Sequence, residues 1–141
     1  MQGLKITLEL EPSQADIKAL GQGLSEQALA AVQARGFQPI AVFARDADGV
    51  MVGGIQALVN WNWLHICLAW LEEGRRRQGL GTELLQRIEQ AGIAQGCVYA
   101  HLDTFSYQAR PFYEKRGYVL FGQLDDYPPG HTRYYMRKSL T

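Results

Sequence analysis

Hydrophobic and polar residues alternate along several short stretches of the chain, as they do in β-strands. In Lys5–Leu10 every second residue is apolar and Pro12 follows, which predicts a strand that ends there. Further strand-like runs are found at Ile40–Ala44, Val50–Val59, Trp63–Leu71, Cys97–Leu102, Tyr118–Leu124 and Arg133–Leu140. The pattern therefore predicts a sheet of about seven strands.

Short polar turns separate the second, third and fourth of these strands. Asp46–Gly49 (DADG) and Asn60–Asn62 (NWN) are both short enough for hairpin connections. We therefore predict three consecutive antiparallel strands. Gly53 and Gly54 indicate a β-bulge in the middle one.

Apolar residues three or four positions apart predict helices. The clearest helix is Gly79–Gln95, in which one stripe consists of Leu80, Leu84, Ile88 and Ala91. Glu83 precedes Arg87 by four residues, the favourable order for an ion pair on a helix. A shorter helix is predicted at Ala109–Lys115, with Pro111 in its first turn and Gly117 ending it.

Two helices are predicted before the second strand. Ser13 is typical of an N-cap, and Gly21 and Gly23 are expected to end the helix that it opens. Ser25 then opens a second helix that ends at Gly36. The order of strands and helices predicts a single α/β or α+β domain over residues 1–141, with a central sheet that carries helices on its faces.

Composition excludes several classes of function. The chain has 141 residues, with 14 lysines and arginines against 14 aspartates and glutamates, so no chain-wide positive field favours nucleic acid or a membrane surface. Cys67 and Cys97 lie in apolar segments without metal-ligand spacing and are interpreted as buried free thiols; no metal is expected. Without a targeting segment or a long apolar run, the chain is predicted to be cytoplasmic.

The segment Glu72–Gln90 (EEGRRRQGLGTELLQRIEQ) places arginines and glycines before the clearest helix. A nucleotide P-loop would need lysine where Leu80 stands, and a dinucleotide fingerprint would need glycine at Leu84. What remains is a strand, a glycine-rich turn and a helix start with free backbone N–H groups. Such a helix start binds phosphate oxygens, and glycine lets them approach closely. A diphosphate is the best-fitting ligand.

These residues resemble the GNAT superfamily of N-acetyltransferases, in a small bacterial branch. The matching pyrophosphate loop is Arg76, Arg77, Gln78, Gly79, Leu80 and Gly81. The element order also matches the GNAT fold, a mixed and mostly antiparallel sheet. A second family segment is FSYQARPFYEKRGY, in which Ser106 stands where many members carry Asn. Its matching positions are Ala109, Phe112, Tyr113, Gly117 and Tyr118.

The resemblance implies that acetyl-CoA is the cosubstrate. The residues that it assigns to coenzyme binding are Trp70, Leu71, Arg76, Arg77, Gln78, Gly79, Leu80, Gly81, Thr82, Ser106, Ala109 and Phe112. In family members the thioester lies where two strands separate, so a backbone N–H at Leu71 is expected to stabilise the tetrahedral oxyanion. Tyr113 is the expected proton donor to the leaving thiolate. An amine is expected to attack directly, without an acetylated enzyme.

The base that takes the proton from the amine is left open by the sequence. Glu72 or Glu73 acting through water, and Asp103 at the end of a strand, are the leading candidates. His65 and His101 rank lower because histidines on strands are more often structural. For each glutamate taken singly, the simpler interpretation is that it is solvated or pairs with Arg75.

The acceptor is expected to be the primary amine of a small molecule or a peptide. Acidic and aromatic residues that could hold a cationic amine are Asp103, Asp125, Asp126, Phe105, Tyr107 and Tyr127. The acceptor site is expected to be formed by the segments that carry these residues and by the first two helices. The alternative is that the rings are core residues and the aspartates form a solvated turn. A non-catalytic sensor that binds acetyl-CoA is the second functional hypothesis. Members of the GNAT superfamily are often dimers, so the resemblance also implies a homodimer as an expectation.

Overall fold

The structure, a computed structural model, describes residues 2–32 and 37–141. The described residues fall into two compact units, one on each side of the gap at residues 33–36. The N-terminal unit contains helix α1, Gln14–Leu29. The prediction of a single domain over residues 1–141 therefore stays a prediction.

Helix α1 is continuous, whereas the sequence predicted two helices. The Ser13 hydroxyl caps it by accepting a hydrogen bond from the Asp16 N–H at 3.1 Å, as predicted. Gly21 and Gly23 do not end the helix, because a helical glycine costs only about 1 kcal/mol relative to alanine while the backbone hydrogen bonds continue. Ser25 is therefore an interior residue. The predicted end at Gly36 lies outside the described residues.

The C-terminal unit is an α+β fold built on one open sheet. Its strands are β1 (Gln38–Arg45), β2 (Met51–Asn60), β3 (Trp63–Leu71), β4 (Tyr99–Phe105), β5 (Val119–Asp125) and β6 (Thr132–Ser139). Its helices are α2 (Leu80–Ala94) and α3 (Arg110–Glu114), and a single 3₁₀ turn spans Glu73–Arg75. The strand order is β1-β2-β3-β4-β6-β5, in which β3 and β4 are parallel and all other neighbours antiparallel. The mixed, mostly antiparallel sheet is thus confirmed.

The described sheet has six strands rather than about seven, because the predicted strand at Lys5–Leu10 is not formed. Residues 4–9 adopt no regular secondary structure. Alternation specifies which side chains share a face, but only a partner with matching backbone hydrogen bonds completes a strand. The apolar pattern could not supply that information.

The turn between β1 and β2 forms as predicted. The Asp46 carboxylate accepts hydrogen bonds from the N–H groups of Asp48 and Val50, at 2.9 and 3.0 Å. The predicted bulge lies beside the glycines: the register shifts where Arg45 pairs with Met51. Gly54 allows β1 and β2 to lie close together at this point, because a β-carbon there would lie 2.8 Å from the Val42 carbonyl oxygen.

The core lies between the sheet and α2, which packs against β1, β2 and β3. Its fully enclosed residues include Leu64, Leu85, Ile88, Ala100 and Met136. Burying one such aliphatic side chain contributes about 1.5–3 kcal/mol. The core thereby fixes the start of α2 and the ends of β3 and β4, which carry the candidate site.

Candidate functional site

The two central parallel strands separate half-way along their length. Pairing of β3 with β4 runs from Trp63 opposite Tyr99 to Ile66 opposite Leu102 and then stops. At that point β3 carries one extra residue, Cys67, relative to β2. Such a bulge bends a strand and ends its pairing. A gap therefore opens between the last residues of β3 and of β4.

This gap is a cleft of about 250 Å³. Its lining residues are Ile66, Cys67, Leu68, Ala69, Leu102, Asp103, Thr104, Phe105, Gln108, Ala109 and Tyr113. Gln108 closes the loop after β4, since its side-chain oxygen accepts a hydrogen bond from the Phe105 N–H at 3.1 Å. The cleft thus joins β3, β4 and the start of α3.

The last residues of β3 present backbone groups to the gap. The Glu72 N–H donates to the Val52 carbonyl of β2 at 2.8 Å. Because backbone groups of successive residues alternate between the two edges of a strand, the Leu71 N–H points to the opposite edge, where β4 has separated. The Leu71 carbonyl on that side accepts a hydrogen bond from Arg76 Nε at 3.1 Å.

Tyr113 lies in the wall of the cleft. The side chain is buried, and its ring makes edge contacts with Phe112 and Tyr118. Burial raises the pKa of Tyr113, with no contribution from a hydrogen bond to another described residue. A tyrosine with a raised pKa stays protonated at neutral pH, so its hydroxyl is present as a hydrogen-bond donor in the cleft.

The start of α2 is open to an anion. Its N-cap is Gly79, at φ 81°, so no side chain satisfies the first backbone N–H groups of the helix. Gly81 lies against Phe112, whose ring carbons would be 3.4 Å from a β-carbon at that position. Arg77 also adopts a positive φ of 65°, which bends the loop into the helix. Free N–H groups at a helix start bind phosphate oxygens.

The arginines around this loop have different roles. Arg76 donates a hydrogen bond to the Leu71 carbonyl at the end of β3, and Arg75 forms an exposed ion pair with Glu72 at 3.5 Å. Arg116, which the sequence did not single out, donates hydrogen bonds from Nε and Nη2 to the Thr82 hydroxyl oxygen, the first at 3.0 Å. Thirty-four positions separate the two residues, so no local pattern could have indicated the contact.

Asp103, one of the candidate bases, is paired in the structure. Its carboxylate accepts a hydrogen bond from Arg133 Nε at 2.9 Å, and both side chains are about one quarter exposed. Arg133 also lies over the rings of Phe105, Tyr127 and Tyr135. The pair therefore joins the cleft wall to a group of aromatic side chains.

These aromatic residues are not core residues, so that alternative is wrong for the outer members. Tyr107 is 56% exposed and Tyr127 47% exposed, and both rings stack on Phe105. Asp126, by contrast, stabilises the turn that follows it, because its carboxylate accepts a hydrogen bond from the Gly130 N–H at 3.1 Å. The rings leave an exposed planar surface beside the cleft.

Ser106, predicted to contact the coenzyme, is engaged with the β5–β6 loop. Its hydroxyl lies 3.0 Å from His131 Nδ1 and accepts a hydrogen bond from the Thr132 N–H at 3.1 Å. Its coenzyme contact stays a prediction.

Cys97 is buried as expected, but Cys67 is exposed, which corrects the interpretation of both as buried thiols. Cys67 is itself the extra residue of the bulge, where the alternation of β3 changes, so the sequence pattern misplaced it. Its sulfur lies 3.7 Å from His65 Nδ1. The His65 ring stacks on His101, and burial together with the neighbouring His65 lowers the pKa of His101.

A second hollow, of about 470 Å³, lies near the other end of β3 and β4. Its lining residues are Trp63, Tyr99, Gly117, Val119, Arg137, Lys138 and Ser139. Although it is larger, it lacks the separated strands and the helix start that meet at the cleft. Within residues 2–32 and 37–141 we find no group of three metal-ligating side chains, and none of the helices described there is long and apolar enough to cross a membrane.

Sequence comparison agrees with this geometry. Residues 24–118 match the Acetyltransferase (GNAT) family. Because the match spans more than half of the chain, the protein belongs to this family and is an N-acetyltransferase.

The relatives include enzymes named for antibiotics. The chain is 36% identical over 110 residues to the blasticidin-S acetyltransferase of Streptomyces morookaense. The aligned residues cover 77% of this chain and 81% of that protein. An acetyltransferase from Bacillus cereus ATCC 14579 has a similar crystal structure, with a TM-score of 0.87, 25% identity, and coverage of 94% of this chain and 97% of that one.

A candidate streptothricin acetyltransferase from Bacillus anthracis str. Ames, crystallised with acetyl coenzyme A, is similar at a TM-score of 0.64. It is 20% identical, over 79% of this chain and 66% of that one, so this likeness concerns the fold alone.

Proposed function

We propose that the protein transfers an acetyl group from acetyl-CoA to a primary amine of a small molecule, by direct attack in a ternary complex. The observation that carries this proposal is the gap between β3 and β4, which Tyr113 lines. After β3 the chain passes through the Glu73–Arg75 turn and the glycine-rich loop into the start of α2, which has no side-chain cap. One feature suits a thioester and the other suits a diphosphate.

The coenzyme would be held mainly by backbone groups. The N–H groups at the start of α2 would bind the diphosphate, with Gly79 and Gly81 allowing close approach. The other loop residues assigned to it are Arg76, Arg77, Gln78, Leu80 and Thr82. The arm would run along the separated end of β3 beside Trp70 and Leu71, opposite Ala109 and Phe112.

The chemical step would use two groups of the cleft. The amine nitrogen attacks the thioester carbonyl, and the Leu71 N–H stabilises the oxyanion that forms. The carbon–sulfur bond then breaks, and the thiolate takes a proton from Tyr113. Help of this kind from a general acid is worth about 10²- to 10⁴-fold in rate. The attacking nitrogen gives its own proton to a base.

Asp103 and Glu72 both stay candidates for the base in this proposal. Asp103 lines the cleft but is paired with Arg133, whereas Glu72 lies beyond the end of β3 and is paired with Arg75. Position therefore favours Asp103, because a base must reach the amine directly or through one water. Its arginine partner would hold the carboxylate in a fixed orientation.

The acceptor is proposed to be small and cationic, with a planar part. The relative from Streptomyces morookaense is named for blasticidin S, which makes small antibiotic amines the first class to test. The exposed rings of Phe105, Tyr107 and Tyr127 beside the cleft suit stacking with such a molecule. Peptide amines are the other acceptor class, and cytoplasmic location and homodimer formation stay predictions.

The test has two parts. Calorimetric titration with coenzyme A should give saturable binding, and release of free thiol from acetyl-CoA should depend on an added amine. The panel should contain blasticidin S, a streptothricin, an aminoglycoside, a polyamine and a lysine peptide. Binding without turnover of any amine would favour the sensor hypothesis, and absence of binding would overturn the proposal.

A further inference from the structure

Arg116 connects the end of α3 to the start of α2. It is half-buried, and two of its guanidinium nitrogens donate to the Thr82 hydroxyl oxygen. Its third nitrogen, Nη1, donates to the Phe112 carbonyl at 2.9 Å. All three nitrogens are therefore used inside the protein.

The same guanidinium lies over an aromatic ring. Its central carbon is 3.8 Å from the centroid of the Phe112 ring, and that ring lies beside Gly81. Arg116, Phe112 and Gly81 thus form successive layers at the first turn of α2. A change in Arg116 would release both the ring and the Thr82 hydroxyl.

The hydrogen bonds give the Thr82 hydroxyl a defined direction. Among the described residues, its oxygen only accepts, and both bonds come from Arg116. The hydroxyl hydrogen is therefore left to donate elsewhere. Its position in the first turn of α2 places this donor with the free backbone N–H groups.

The charge of Arg116 lies near the start of α2. The start of a helix carries partial positive charge, which stabilises anions and disfavours cations. An arginine held there by three hydrogen bonds adds to that positive potential. A bound diphosphate would convert the repulsion into attraction.

We propose that Arg116 is a positioning residue for the coenzyme diphosphate. It orients the Thr82 hydroxyl to donate a hydrogen bond to a phosphate oxygen, and it holds the Phe112 ring against Gly81. This inference rests on the proposed function. It goes beyond the loop Arg76–Gly81, because Arg116 lies on a different segment and acts through Thr82.

The experiment compares the affinity of Arg116→Met, Arg116→Lys and Thr82→Val for two ligands by calorimetry. Coenzyme A and dephospho-coenzyme A share the diphosphate but differ in the 3′-phosphate. Loss of charge-assisted hydrogen bonds should weaken binding of both by about 10- to 100-fold in Arg116→Met. Arg116→Lys, which keeps the charge, should recover part of the loss.

A double variant of Arg116 and Thr82 shows whether Arg116 acts through Thr82 or contacts the coenzyme independently. Thr82→Val should weaken binding in the same direction, and the double variant should lose no more than Arg116→Met alone. Arg110→Met is the matched control, because Arg110 belongs to α3 but pairs with Glu114 and lies over Tyr134. Its affinities should be unchanged, and thermal unfolding of each variant reports whether the fold is kept.

The outcomes distinguish this inference from the proposed function. If the unaltered protein binds neither ligand, the coenzyme assignment and the role of Arg116 are both wrong. If it binds while Arg116→Met binds equally well, only the role of Arg116 is wrong. A loss confined to coenzyme A would mean that Arg116 serves the 3′-phosphate and would also overturn the proposal. Should Arg116→Met fail to fold, unchanged binding by Thr82→Val would be decisive against it.

Discussion

The two halves of the β3–β4 pair differ in hydrogen bonding, burial and chemistry. In the first half the strands are paired, and Leu64 and Ala100 are fully buried in the hydrophobic core. In the second half the strands have separated, and Leu68 and Trp70 are 66% and 54% exposed. One pair of strands therefore supplies core in its first part and a cleft in its second.

The difference originates in a single extra residue. Cys67 shifts the register between β2 and β3, and pairing with β4 ends at Ile66. An unpaired strand edge is usually a liability, because its N–H and C=O groups seek partners. Here the unpaired edge of β3 lines the cleft from Ile66 to Ala69, and the Leu71 N–H points to the same side of the strand. We therefore regard the paired half as the support that keeps the open half in position.

Replacing Tyr113 by Phe should have the largest effect on the open half. Loss of the hydroxyl removes the proposed proton donor but keeps the ring contacts, so kcat should fall by about 10²- to 10⁴-fold. Affinity for coenzyme A should change little. Steady-state kinetics and calorimetry on the same preparation measure the two quantities.

The control for this change comes from the paired half. Tyr99 lies at the start of β4, where its ring contacts Trp63 far along the strand from the cleft. Tyr99→Phe should leave kcat unaltered. Full activity of Tyr113→Phe would assign the acid role to another group.

Replacing Leu64 by Ala should have the largest effect on the paired half. The side chain is fully buried and also packs against Gly92 of α2, so the cavity should cost about 3 kcal/mol of the free energy of unfolding. Urea denaturation measures this loss. The matched change Leu68→Ala, in the open half, should cost less than about 0.5 kcal/mol. Equal losses would contradict the division of the strand into support and cleft.

Asp103→Asn tests the base on the β4 side of the cleft. If Asp103 accepts the amine proton, kcat should fall by about 100-fold near neutral pH, while affinity for coenzyme A should change little. Glu72→Gln is the comparison, because that carboxylate is the other candidate and is more exposed. A large loss in Glu72→Gln with normal activity in Asp103→Asn would reverse the assignment.

Local sequence patterns predicted the parts that depend on local rules. The Ser13 cap, the turn at Asp46 and helix α2 follow from neighbouring residues, and the resemblance rested on the loop that starts α2. The family is confirmed by comparison, whereas the roles of individual site residues stay predictions.

The parts that were missed depend on distant partners. Asp103 with Arg133 and Thr82 with Arg116 are contacts across 30 and 34 positions, which periodicity cannot indicate. The segment Lys5–Leu10 has the alternation of a strand without forming one. The exposure of Cys67 follows from a bulge, and the alternation of β3 gave no sign of it.

Cys67→Ala should have the smallest effect, although the residue lies where the two halves meet. Partial desolvation raises the pKa of the Cys67 thiol, and a neutral thiol is a poor nucleophile. Direct attack by the amine therefore predicts a kcat within about twofold of the unaltered protein, since rate changes of that size correspond to less than about 0.5 kcal/mol. Intact-mass spectrometry after mixing with acetyl-CoA alone should detect no acetylated protein. A covalent acetyl group that forms on the unaltered protein, is absent from Cys67→Ala and passes to an added amine would replace direct attack by a two-step mechanism.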